Sequence, residues 1–205
     1  MPAIPWRFEE HLRRYRDLRT GRFIGPSQMH DLREQFADAM TERTAALAGQ
    51  LVGHEITLQQ WVEEMRGLIR TAHSDLAMLG RGGLRALDAQ DLQTLQEVIR
   101  GQYTYLQRFA GVIASGDLSE GQIAVRAGMY MSAARMTYED MQRRTAVQAG
   151  AVLEANRRHA LESCQGCVAE SARGWVPVGT LSPPGTRSCK ANCRCTLEYA
   201  YGEGM

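Results

Sequence analysis

Lysine is nearly missing from this 205-residue chain: of its 24 basic residues only Lys190 is one, and the other 23 are arginines. A GC-rich genome produces that bias, so it carries little chemistry by itself. No apolar run approaches the roughly 20 residues of a membrane span, which excludes a transmembrane helix. Met1 to Trp6, followed by Arg7, Glu9 and Glu10, lacks the apolar core of a signal peptide, so synthesis in a cytoplasm is expected. GxSxG, HExxH, the P-loop and the dinucleotide fingerprint are all missing, and no nucleophile, base and orienting group can be drawn from one motif. Intrinsic hydrolase or redox turnover is therefore not expected, nor is a small-molecule substrate. His11, His30, His54, His73 and His159 are scattered, as surface or hydrogen-bonded helix histidines are. There is no internal repeat and no low-complexity tract. Cysteine, finally, is absent from the first 163 residues: all five lie between 164 and 195. An odd, crowded set fits a disulfide framework poorly in a reducing compartment and points to a metal.

What is present reads as helix. Hydrophobic residues make up 44% and charged residues 23%, the balance of an ordinary globular chain. A short helix is expected at Trp6–Tyr15, then a turn and extended segment at Thr20-Gly21-Arg22-Phe23-Ile24-Gly25. Met29, Leu32, Phe36, Met40, Leu47 and Leu51 recur at helical spacing over 27–51, with Ser27 as the expected N-cap. Thr57 opens a clearer helix carrying Trp61, Val62, Met65, Leu68, Ile69, Ala72, Leu76 and Leu79 to the glycines at 80–83. A third runs from Asp88 to Gly116 on Leu92, Leu95, Ile99, Tyr103, Leu106, Ala110 and Ile113. Ser119 and Gln122 form a capping box for a fourth, whose face is Ile123, Ala127, Met131, Ala134, Tyr138 and Met141. That helix is expected to continue, with interruption, to Glu162. The Met and Tyr run from Met129 to Met141 reads as core filling rather than a partner groove. The expectation is a mainly α fold: a bundle of four to five helices with a small C-terminal cysteine-rich module, stapled by zinc. The divisions are an N-terminal arm over 1–25, a helical body over 26–163, and the cysteine-rich module and tail over 164–205.

The module has a distinct grammar. Cys164-Gln165-Gly166-Cys167 is a CxxC knuckle, and a 21-residue spacer separates it from Cys189-Lys190-Ala191-Asn192-Cys193-Arg194-Cys195. Thiolates suit zinc, and each short spacing lets one turn supply two sulfurs to a shared tetrahedral ion. Cys193 and Cys195 stand two apart, on one face of an extended strand, so Cys195 can substitute for Cys189 or Cys193 as a ligand. The expected set is Cys164, Cys167, Cys189 and one of Cys193 or Cys195, with the remaining cysteine free. The other readings are a CxxC redox pair, free thiols, or a disulfide formed in an extracellular particle. Glycines 166, 174, 179 and 185 and prolines 177, 183 and 184 argue against helix through the centre, and Trp175, Val176, Val178, Leu181 and Leu197 are too few for a separate core.

The CxxC followed at a distance by Asn192-Cys193-Arg194-Cys195-Thr196-Leu197 resembles the end of phage head morphogenesis, or minor head, proteins, including the F protein of phage Mu. The family's usual motif has a histidine shortly before its NCRC-like tetrapeptide; Cys189 stands roughly there in this chain. Tyr15 to Ile24, and Leu118 to Ile123 with Arg126, Tyr130, Ser132, Ala133, Arg135 and Tyr138, are similar to segments of such proteins. The resemblance implies a non-enzymatic virion component that associates with the portal or the major capsid protein, with packaged DNA as a further partner. It would be found in the host cytoplasm during assembly and then in the capsid interior or at the portal vertex.

Charge leaves a second reading open. Residues 1–25 carry six arginines against three acids, and residues 135–195 carry eight arginines and one lysine against five acids. Arg143, Arg144, Arg157, Arg158, Arg173, Arg187, Lys190 and Arg194 are candidates for a phosphate-facing surface in a zinc-dependent nucleic-acid-binding regulator. A thiol oxidoreductase using Cys164 and Cys167 is a third reading, and it lacks the βαβ context such enzymes need.

Overall fold

The structure, a computed structural model, describes residues 6–9, 12, 14–160 and 162–202. Four long helices make the body: α1 (Pro26–Val52), α2 (Leu58–Arg81), α3 (Ala89–Ala114) and α4 (Glu120–Gln148). Their starts follow from capping chemistry. The Thr57 hydroxyl accepts from the Gln60 N–H at 3.2 Å, the Asp88 carboxylate from the Asp91 N–H at 2.8 Å, and Ser119 exchanges bonds with Gln122. Ser27 is not the cap of α1. Gly25 is, with Pro26 in the first turn, where its fixed φ suits the helix and its missing N–H leaves nothing unsatisfied.

The apolar stripes meet as the periodicity predicts. Trp61, Met65, Ile69 and Leu76 of α2 are fully buried against Met40 of α1, Phe109 of α3 and Met131 of α4. Each such side chain contributes about 1.5–3 kcal/mol of transfer free energy. Of the run expected to fill the core, Tyr130, Met131, Tyr138 and Met141 are buried, whereas Met129 is 43% exposed. Along α3 the inward set is Leu95, Leu106, Phe109 and Ala110; Leu92, expected inside, is 43% exposed, and Phe109 takes an inner place. α2 and α4 pack so closely that a Cβ on Gly80 would lie 2.6 Å from the Tyr138 carbonyl oxygen.

Three features outside the four long helices shape the rest. Trp6–Tyr15 is not helical: β1 (Trp6–Glu9) and β2 (Arg14–Asp17) form an antiparallel hairpin. Its aromatic residues cover the end of α2, where Phe8 sits over Gly82 and the Tyr15 hydroxyl donates to the Leu79 carbonyl at 2.5 Å. The extended segment after it is present, bridged to the hairpin between Arg16 and Phe23. Likewise α4 does not reach Glu162. It stops at Gln148, Gly150 turns the chain at φ 86°, and β3 (Ala151–Arg157) follows. Finally, α5 (Gln165–Ala172) occupies the start of the cysteine-rich segment, before β4 (Val176–Pro177) and β5 (Thr196–Tyr201). β3 is the central strand of a sheet ordered β4-β3-β5, antiparallel throughout. Residues 151–157, assigned to the helical body by sequence, thus form one sheet with the cysteine-rich segment.

Candidate metal centre

Each cysteine is delivered by a specific local structure. Cys164 is the N-cap of α5, and its sulfur accepts from the Cys167 N–H at 3.4 Å; one helical turn thereby holds both thiols of the CxxC together. Cys189 precedes a short 3-10 turn, Lys190–Asn192, in which Lys190 takes a left-handed φ of 47°. Cys193 leaves that turn in extended conformation, and Cys195 leads directly into β5. The two-residue spacing buries both, as the alternation of an extended chain dictates.

All five sequence-predicted cysteines meet in one cluster able to hold a metal ion. All are free thiols. The Cys167 sulfur lies 3.6 Å from that of Cys189 and 3.8 Å from that of Cys193. Four thiolates about 2.3 Å from a tetrahedral ion stand about 3.8 Å apart, so these separations match the edge of such a cage. Hydrogen bonds from Ser188 and from the Cys167 N–H lower the Cys164 thiol to about 6, and the Cys195 thiol lowers Cys193 to about 4. Burial raises Cys167 and Cys189. Cys195 is raised by its bond to Cys193 and by burial. The cluster therefore divides into thiols that ionise readily and thiols that ionise with a cation beside them, which is what a metal provides.

Two supporting residues carry no motif. Arg187 is buried; one guanidinium nitrogen donates to Asn156 Oδ1 at 2.8 Å and approaches the Cys167 sulfur at 3.5 Å, and the other donates to the Ser182 carbonyl at 2.5 Å. Asn156, on β3, donates in turn to the Cys167 carbonyl at 3.4 Å. A basic residue two positions before Cys189 was the signal available for Arg187; Asn156 offered none, because β3 was not expected.

The centre is fastened to the bundle through α4. Glu139, wholly enclosed, pairs with the equally enclosed Arg33 of α1 and accepts from the Leu197 N–H of β5 at 3.1 Å. Gly185 lies against Met136: a Cβ there would clash with Met136 Cγ. Arg143 pairs at 3.0 Å with the buried Glu154 of β3, whose carboxylate also accepts from the Leu181 N–H at 2.8 Å.

The remaining basic candidates do not make one open surface. Arg143, Arg144, Arg157 and Arg173 pair with Glu154, Asp91 and Asp140, Glu198 and Glu170 respectively, and Arg187 is enclosed. Arg158, Lys190 and Arg194 are exposed. Among the histidines, His73 is fully buried with Nδ1 2.7 Å from the Thr137 hydroxyl, and burial lowers it to about 4. His30 and His159 stack at 3.8 Å. No described helix is long and apolar enough to cross a membrane. Comparison with protein-family models, with curated proteins and with solved structures finds no match.

Proposed function

We propose that this protein is a phage minor head protein, a structural component that associates with the portal or the inner capsid wall and acts in head assembly, DNA packaging or ejection. The observation that carries the reading is the closing motif: the CxxC and the Asn192-Cys193-Arg194-Cys195 tetrapeptide, on which the resemblance rests, come together at one centre. In this proposal the metal is structural zinc, whose preference for thiolates the donor set satisfies. Bound zinc contributes on the order of 10 kcal/mol to a small site at neutral pH, enough to order a module with little apolar core. The protein works by binding, without turnover, and its docking element is the bundle or the Tyr15–Ile24 segment, where Arg16 and the preceding Arg14 stack on Phe23.

Co-expression with a phage portal protein tests the reading. Co-purification, together with this chain in the mass spectrum of assembled particles, is the expected result. Failure to co-purify, with particles that lack the chain, overturns the head-protein assignment. The nucleic-acid regulator gains no support from the arginines, most of which are engaged within the molecule.

A further inference from the structure

The five thiols are arranged as two triads that share one sulfur. Cys164, Cys167 and Cys189 have their sulfurs all within 4.8 Å of one another, and so do Cys167, Cys193 and Cys195. Among the described residues these groups of three are the largest that meet that limit. A single tetrahedral ion bound by four thiolates needs four sulfurs mutually about 3.8 Å apart. The fold instead offers two three-sulfur faces, one on each side of Cys167. We infer that the cluster takes two divalent thiophilic ions, zinc being the class it suits, with Cys167 as the bridging thiolate. Cys164 and Cys189 complete one site; Cys193 and Cys195 complete the other. This rests on the metal-staple reading and extends its capacity.

Charge supports the assignment independently. One divalent ion among four thiolates leaves two negative charges in a buried setting and a fifth thiol without a role. Two divalent ions among five thiolates leave one negative charge. Among the described residues one buried cation meets the shared sulfur: Arg187, held by Asn156 and the Ser182 carbonyl, with its guanidinium 3.5 Å from Cys167 Sγ. Buried charge is tolerated when it is matched, and here one guanidinium matches one residual charge. The two sites differ in access. Cys193 and Cys195 are buried, whereas Cys164 and Cys189 are half-buried, so the fourth position of their ion is the one open to water.

Native mass spectrometry of the reduced full-length chain, titrated with zinc and separately with cadmium, tests this, with reactive thiols counted at each step. Two ions per chain and no reactive thiol at saturation are expected. Cys164→Ser and Cys195→Ser, each of which removes one outer arm, are expected to hold one ion apiece and keep the helical circular-dichroism signal. Saturation at one ion with one thiol still reactive overturns the two-ion centre and leaves the single-zinc staple standing. No bound ion overturns both. Two ions retained by Cys195→Ser would also contradict the inference. Cys167→Ser is expected to lose both ions, and should it fail to fold, the two outer variants still decide.

Discussion

His73 of α2 sits with no exposed surface against α4, its Nε2 without a partner among the described residues, and burial lowers its pKa from 6.5 to about 4. The unfolded chain then binds the proton that the folded chain refuses. Stability contributed by the neutral ring is present above pH 6.5 and is lost as pH falls from there toward 4, at up to about 1.4 kcal/mol per pH unit. Burial also lowers His30 and His159, in the same direction. Urea unfolding at pH 7 and pH 5 is expected to show a stability drop that is smaller in His73→Asn, and an equal drop in the variant would show that another group governs the pH response. Gly185 tests the contact between module and bundle. It has φ 88°, and a Cβ there would strike Met136. Gly185→Ala is expected to cost about 1–3 kcal/mol through left-handed strain and overpacking. Adding Met136→Ala should recover part of that loss, because it relieves the overpacking and leaves the strain.

At the scale of elements, two helical glycines with opposite surroundings make a paired prediction. Gly80 meets the α4 backbone, so Gly80→Ala must push α2 and α4 apart and is expected to lower stability by more than about 2 kcal/mol. Gly101, inside α3, has open space around it, and Gly101→Ala is expected to raise stability by about 0.5–1 kcal/mol. Thermal unfolding of the two variants reads both signs at once. The helices themselves were legible because their stripes repeat over about five to six turns and their caps are chemical: Thr57, Asp88 and Ser119 mark starts that the structure reproduces. The strands were not. Trp6-Arg7-Phe8-Glu9 alternates for four residues, too short a run to separate a period of two from one of 3.6. Ala151–Arg157 contains good helix formers, and what makes it a strand is pairing with residues roughly 40–50 positions downstream. Gly150 was the local signal of that break. The cysteine cluster was legible because ligand chemistry is carried by residue type and spacing. Arg187 and Asn156 were hidden because their roles exist once β3 is placed.

For the molecule as a whole, the two halves of the chain are held by different physics. The bundle has a continuous apolar core from Leu32 to Tyr138, whereas the segment after β3 is organised by five thiols, one β-sheet and the hydrogen bonds of the buried Arg187. Its attachments to α4 include the Leu197 N–H of β5 on Glu139 and, from the loop between the two cysteine groups, Gly185 against Met136 and the Leu181 carbonyl on Arg143, so two of these three points depend on that loop keeping its shape. Metal removal should therefore loosen one part and spare the other. Hydrogen exchange followed by mass spectrometry, on metal-loaded protein and on the same protein stripped by a chelator under reducing conditions, measures this directly. The prediction is that amides of α5, the Lys190–Asn192 turn and β5 lose protection by at least about 100-fold on stripping, since a site of on the order of 10 kcal/mol is being emptied, while the buried amides of α2 and α4 keep theirs. Unchanged protection across residues 164–199 in protein shown to be free of metal would contradict the account.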